Sequence, residues 1–539
     1  MKKQSLNSRL TLKHSLRAGL GILTLTIAAC GGGGSSSSSA NNTVASASTP
    51  MFEAGVFPNS DNFKSQCENP RSGSSAVTGI VFDDRDGSTL DENFWLRSWT
   101  NETYYWYEEV VDLDPGLFTT PEYFELLRTE EITASGKDKD EFHFTVPTDE
   151  WEALSQTGIS VSYGAQLAVL SPRVPREIVV AFTDPQTPAS FAGLARGDRV
   201  LSIDGVDINT NSSAGIATLN AGLAPNDIGE QHVFVLQSLD GRQYTAELTA
   251  ETINNVSVQN VSVHQTEQGA VGYFLFNDHI ATSEAELVAA FNQLSSQNVD
   301  DLVLDLRYNG GGFLAIASQV AYMIAGPRTT TNRTFERLQF NDKHPTFNPV
   351  TGELNEPLPF FDETVGFSLS PGQPLPSLNL SRVFVLTTDS TCSASESILN
   401  SLRGIGVEVI QIGTTTCGKP YGFYATDNCG TTYFSVQFQS VNALGFGDYA
   451  DGFAPLDSQT LGAVLLPGCV VNDDFNHALG DPEEAMFAQA LQYQQFGRCA
   501  TVAAGASSKS TDKIEKNTPL VKNPWQENRI LNNPNRLSF

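Results

Sequence analysis

Residues 391–419, TCSASESILNSLRGIGVEVIQIGTTTCGK, decide how the rest of the chain is read. Just before them, residues 383–386 form a short apolar run of buried-strand type. Small polar residues follow. Ser395 and Glu396 then open a helical pattern through Ile398, Leu399 and Leu402. Gly404 reads as its stop, because glycine takes the left-handed backbone at low cost. Residues 407–412 are a second apolar strand, and Lys419 lies just beyond it. Strand, turn, helix, strand and loop in this order can bring a serine and a distant lysine together.

The surrounding residues 253–500 alternate in the same way. Residues 271–275 predict a strand, 283–294 an amphipathic helix and 302–306 another strand. Arg307-Tyr308-Asn309-Gly310-Gly311-Gly312 and a helix to about residue 324 come next. This is the order of a sheet with parallel strands and covering helices. Such sheets place their sites at the carboxyl ends of strands, where the glycine turn and the serine turn both fall. Residues 327–381 read as a loop-rich insertion, and residues 481–493 as a helix with Asp481 as N-cap. Phosphate-cradle patterns and a G-x-S-x-G elbow are absent. The seven histidines are scattered, so no metal or cofactor is implied, and His477 alone lies downstream of the serines in this region. Between residues 253 and 500 the only lysines are Lys343, in the insertion, and Lys419. The residues alone leave Lys419 either structural or a base.

Residues 156–252 are rich in short strands and turns, with hairpin signals at Asp204-Gly205 and Asp240-Gly241. The run SFAGLARGDRVLSIDG at 190–205 resembles a PDZ domain. That resemblance implies capture of an extended peptide C-terminus at a sheet edge. Tyr163, Gly164, Ala165, Gln166 and Leu167 are then the carboxylate-binding loop. A PDZ fold that only regulates access and binds no peptide is the other reading. Residues 61–155 are acidic and aromatic-rich, with helical spacing at 94–111 and 121–128, and predict a small, mainly helical N-terminal domain. Its aromatics read as core.

The first 29 residues carry Lys2, Lys3, Arg9, Lys13 and Arg17, then a short apolar segment and Ala28-Ala29-Cys30. This reads as a secretory signal, too short for a membrane span. It resembles a bacterial lipoprotein signal, with Cys30 lipidated and outer-membrane sorting implied by Gly31. Residues 30–60 begin GGGGSSSSS and read as a flexible tether. Six further cysteines suggest disulfides in an oxidising compartment, with Cys417–Cys429 and Cys469–Cys499 as the sequence-near pairs. Residues 501–539 form a polar tail with six basic and three acidic residues. The 539-residue chain has a net charge of −29, which argues against a nucleic-acid partner.

DLRYNGGGFL at 305–314, SASES at 393–397 and CGK ending at Lys419 together resemble the C-terminal processing peptidases, or tail-specific proteases. The likeness covers roughly residues 156–495. It implies a multidomain α/β and α+β chain: a helical N-terminal domain, a PDZ domain and a crotonase-like α/β serine peptidase core at 253–500. It implies a Ser–Lys dyad, with Ser393 as nucleophile three residues before Glu396 and Lys419 as general base. It also implies an oxyanion hole from the N–H groups of Ala394 and Gly311, with Glu396 and Asn309 in support, and protein or peptide substrates with free C-termini. The family usually has glycine after the lysine and, four residues on, an orienting glutamine; here these are Pro420 and Phe423. A catalytically inactive peptide-binding lipoprotein and a small-molecule hydrolase on the same core are the competing readings.

Overall fold

Val383 and Val385 face one way along their strand, and Phe384 and Leu386 the other; all four are buried. A strand apolar on both faces belongs in the middle of a covered parallel sheet. The structure, a computed structural model, describes residues 50–500 and the strand Arg529–Leu531. The signal segment, Cys30, most of the tether and most of the tail lie outside the described residues. Among the described residues no helix is long and apolar enough to cross a membrane.

The central sheet is built from β1 (Val258–Thr266), β2 (Gly269–Phe276) and, after helix α1 (Ser283–Ser296), β3 (Asp301–Asp305). The short strand β4 (Gly311–Phe313) and helix α2 (Leu314–Ala325) follow. Then come β5 (Arg382–Thr387), α3 (Ala394–Gly404), β6 (Glu408–Gly413), β7 (Gly468–Val470) and α4 (Ala485–Phe496). The strand order is β1-β2-β3-β5-β6-β7, antiparallel at the first pair and parallel thereafter. Residues of α1, α2 and α3 share one core with Leu302, Leu304, Val383 and Val385. Met486 and Phe487 of α4 cover Val303, Phe384 and Leu386 on the opposite face. Helix α2 is buried on every side, as its mainly apolar sequence requires, and its polar Ser318 and Gln319 bond Pro359 O and Glu284. The short strand Arg529–Leu531, β8, pairs in parallel with β4.

A second sheet lies in residues 165–249, in the order Gln243–Thr249, Gln231–Gln237, Arg199–Ile203, Glu177–Thr183, Ala165–Ser171. It has its own core around Ile178, Val180, Phe234 and Leu236, and Ala165–Ser171 forms its edge.

Residues 61–155 do contain the helices Thr89–Thr103, Thr120–Glu125 and Thr148–Thr157, but they do not stand apart. Phe144–Pro147 pairs with Thr431–Phe434, and Tyr104, Trp106, Phe142 and Phe144 enter the core that α1, α2 and α3 cover. Of the aromatic residues read as core, Tyr104 and Trp106 join the core of the central domain, while Trp95 and Trp99 form a smaller cluster with Tyr123, Phe124 and Tyr433.

Three disulfides form: Cys67–Cys429, Cys392–Cys417 and Cys469–Cys499. The expected Cys417–Cys429 pair does not. Cys417 sits beside the serine turn, its N–H on Thr391 O at 3.1 Å, while Cys429 faces the N-terminal segment. Two helix ends also differ from expectation. Helix α4 starts at Ala485 because Glu484, not Asp481, caps it, accepting from Phe487 N–H at 3.0 Å. The left-handed residue after α3 is Gly406, at φ +87°; Gly404 instead leaves room for Asn442, 2.9 Å from where its Cβ would lie. The insertion at 327–381 is less loose than expected, since Thr334–Phe340 joins a sheet with Phe438–Val441.

Replacing both Cys67 and Cys429 by serine removes the covalent tie between the N-terminal segment and the central domain. Urea unfolding should show a loss of about 2–5 kcal/mol. An unchanged midpoint would show that strand pairing and aromatic packing alone hold the segment in place.

Candidate active site

Two turns leave the carboxyl ends of neighbouring strands. The glycine turn follows β3 and the serine turn follows β5. They are stitched together by hydrogen bonds: Thr391 Oγ1 to Leu306 O at 2.9 Å, Cys392 N–H to Asn309 O at 3.1 Å and Ser395 Oγ to Asn309 O at 3.1 Å. Ser393 stands at the mouth of α3 with φ +68° and ψ −119°. A non-glycine residue there costs on the order of 1–3 kcal/mol and persists only where its surroundings fix it.

Glu396 does the fixing. Its carboxylate is completely buried and accepts from Ser393 N–H at 2.9 Å, Lys419 N–H at 2.8 Å, Gly418 N–H at 2.9 Å and the Thr416 hydroxyl. One side chain thus ties the serine turn to the lysine loop, and the Cys392–Cys417 disulfide ties the same two segments covalently. Burial raises the Glu396 carboxyl above its ordinary value, and the donors around it work in the opposite direction.

Lys419 is also fully buried, and burial lowers its amine well below the ordinary 10.5; Asp140 and Glu396 oppose this from a distance. Nζ has no hydrogen-bond partner among the described residues. It lies 4.1 Å from the ring centre of Phe423 and 4.6 Å from that of Phe142. Phe423 occupies the position where the resemblance led one to look for an orienting glutamine. Ser393 Oγ is likewise buried without a partner, so the two side chains share no hydrogen bond in this closed arrangement. His477 is engaged elsewhere, with Asp474 at 2.6 Å.

The glycine turn is organised by Asn309. Its Oδ1 accepts Gly311 N–H and its Nδ2 donates to Phe276 O, both at 2.9 Å. The Gly311 N–H expected in the oxyanion hole is therefore occupied in this structure. Ala394 is the first residue of α3, where helix N–H groups lack an intrahelical acceptor. Gly312 has φ +138°, and a Cβ there would lie 2.4 Å from His279 O, so only glycine fits. Beneath the turn, Arg307 is fully buried and bonds Asp305, Glu484 and Asp473. Arg196 of the second sheet region reaches the same Asp473 at 2.6 Å and the Tyr308 hydroxyl at 2.7 Å.

Tyr163, Gly164, Ala165, Gln166 and Leu167 lie apart from this cluster, at the edge of the second sheet. Tyr163 is buried, and the Gly164 carbonyl accepts Asp184 N–H at 2.8 Å.

Several residues near the site escaped sequence reasoning. Asp140 is buried and accepts the Tyr104 hydroxyl at 2.6 Å. Phe142 forms a wall against Lys419, and Lys137 Nζ donates to Cys417 O at 3.2 Å. His279 donates Nδ1–H to Asn309 Oδ1 at 2.9 Å, and burial pushes it down to about 3, keeping it neutral. None of these residues stands in a recognisable motif, and nothing in the sequence joins Asp140 to Lys419 some 280 positions away.

Two buried turns at the ends of parallel strands, joined through one carboxylate, bring Ser393 and Lys419 onto adjoining loops. Residues 270–423, which contain both, match the model of Peptidase family S41. Over 271 residues it is 26% identical to a carboxyl-terminal-processing protease of Picosynechococcus sp., covering 49% of this chain and 54% of that one. Over 158 residues it is 30% identical to the chloroplastic C-terminal processing peptidase of Tetradesmus obliquus, covering 28% of this chain and 34% of that one. The chain thus spans about half or less of the length of these curated relatives. A solved structure from Bacteroides fragilis assigned to the S41 proteases shares the fold, with a TM-score of 0.55 at 23% identity over 74% of this chain and 97% of that one.

Glu396→Gln keeps the volume but removes the charge and turns an NH₂ toward N–H donors. It should cost about 3 kcal/mol in denaturant unfolding, because buried donors lose their acceptor. A cost under 0.5 kcal/mol would show that the disulfide alone joins the two loops.

Proposed function

We propose that the protein is a serine endopeptidase working through a Ser393–Lys419 dyad on exported proteins, at or near unstructured C-termini. The observation that carries this is the placement of a strained serine and a buried lysine, whose Nζ has no hydrogen-bond partner among the described residues, on two loops joined by Glu396. A lysine serves as general base only when neutral, and burial without a carboxylate at its ammonium favours the neutral form.

In the reaction, Ser393 Oγ attacks the scissile carbonyl carbon as Lys419 Nζ takes its proton. The tetrahedral oxyanion is held by Ala394 N–H and a donor from the glycine turn, aided by the positive end of α3. Gly311 N–H serves there once it leaves Asn309. Lys419 then returns the proton to the departing amine, and water hydrolyses the acyl-enzyme. Because the loops are already tied, substrate entry has only to bring Oγ and Nζ within hydrogen-bond reach.

The second sheet supports a PDZ domain at 156–252 that receives a peptide C-terminus along its Ala165–Ser171 edge, beside Tyr163 and Gly164. Three disulfides support an exported location. The lipidated Cys30, with outer-membrane anchoring facing the periplasm or cell surface, belongs to this proposal from sequence alone. A non-catalytic scaffold is disfavoured, since it gains nothing from an unpartnered buried lysine.

Ser393→Ala and Lys419→Ala should each abolish cleavage of an unfolded protein substrate, at least 10³-fold in kcat/KM. Wild-type rates in both would sink the dyad. The pH dependence follows from the lowered Lys419 amine. kcat/KM should rise with pH and level off well below 10.5; a rise centred at 10.5 would contradict the buried neutral base. Stability has its own sign. The unfolded chain binds a proton on Lys419 that the folded one resists, so between the lowered value and 10.5 stability increases with pH. Lys419→Met should therefore be inactive yet more stable at neutral pH, by about 1–2 kcal/mol in urea titrations. A destabilised Lys419→Met would show that the aromatic rings reward the charged amine.

A further inference from the structure

The edge of β4 is not free. Arg529–Leu531 runs along it in parallel, with Gly311 opposite Arg529, Gly312 opposite Ile530 and Phe313 opposite Leu531. The same segment passes beside Tyr421–Gly422, two residues beyond Lys419. A stretch of the chain's own backbone thus lies between the turn that follows β3 and the loop that carries the lysine. With it in place, Ser393 and Lys419 are both 0% exposed. A substrate chain needs access to these same atoms.

We propose that the β4 edge is a strand-addition site for an extended polypeptide, and that residues 529–531 of the same chain are its resting occupant, competing with substrate. The inference rests on the peptidase reading above. Strand addition takes its affinity from main-chain hydrogen bonds, so a site built this way accepts many sequences, including the chain's own. Reach is sufficient. The last disulfide ends at Cys499, and 529 − 499 leaves 30 residues, which extend to roughly 100 Å. Charge favours the arrangement. Residues 501–539 carry six basic and three acidic side chains, +3, so the remainder of the −29 chain carries −32. A positive segment tethered to a strongly negative body is drawn back to it. Tethering supplies an effective concentration on the order of 1 mM, so even weak pairing keeps the edge occupied. All three disulfides lie at or before Cys499, so the chain ending at Ala500 keeps them.

The test compares three forms: the full chain, the chain ending at Ala500, and the full chain with Ile530→Pro and Leu531→Pro. Consecutive strand N–H groups point to opposite sides, so the two prolines must remove one ladder donor. In the Ser393→Ala background, a fluorescent peptide of residues 525–535, WQENRILNNPN, is titrated and read by anisotropy. It should bind the shortened and proline forms at least about tenfold more tightly than the full chain. Equal binding to all three, or none to the shortened form at millimolar peptide, would overturn the proposal. With Ser393 restored, KM for an unfolded substrate should be about tenfold higher for the full chain at similar kcat, independent of enzyme concentration. A KM that climbs with enzyme concentration would place a second copy's strand on the edge and overturn the intramolecular assignment. If the peptide binds as expected but no form cleaves, the peptidase reading fails and the strand assignment stands.

Discussion

A carboxylate with no water around it has to be surrounded by donors, and Glu396 is surrounded by four that belong to two separate loops. Remove the carboxylate and Ser393 loses the acceptor that holds its backbone at φ +68°, while Lys419 loses the anchor for its own N–H. The Cys392–Cys417 disulfide lies alongside and limits how far the loops can part, but it cannot orient either backbone. The glycine turn is held in parallel by Asn309 and, from below, by the buried Arg307 with its three carboxylates. A buried charge in such a network is costly to leave unpaired. The turn and its ion network therefore form together with the sheet or not at all.

Legibility in the sequence followed the range of the interactions. The strands β2, β3, β5 and β6 and the helix α3 were readable to within two residues because apolar period and glycine stops act locally. The spacing of Ser393 to Glu396 was readable too, since an N-cap and its third helical residue meet through local geometry. What Glu396 grips besides Ser393 was not, because Thr416 and Gly418 arrive from beyond the next strand. The N-terminal segment was misjudged for the same reason. Its helices were legible, but the pairing of Phe144–Pro147 with Thr431–Phe434 and the Cys67–Cys429 bond span some 280 to 360 positions and leave no periodic trace. Proximity along the chain was likewise a poor guide to Cys417, whose partner was set by two turns converging across the sheet.

The aromatic surroundings of Lys419 have a physical logic. An amide oxygen beside Nζ would orient the amine, but it would also accept strongly from an ammonium and so favour the charged form. The faces of Phe423 and Phe142 attract a cation as well, yet they offer no lone pair and they exclude water. Exclusion is the larger effect, which is why the amine is lowered well below its ordinary value despite Asp140 and Glu396 nearby. One of the two rings belongs to the N-terminal segment. The protonation of the Lys419 amine thus depends on a strand near residue 145 being docked, and on the disulfide that ties its segment to the central domain. A segment that reads as a separate domain is thus one wall around the Lys419 amine, and the dry surroundings of that amine are incomplete until the wall is in place.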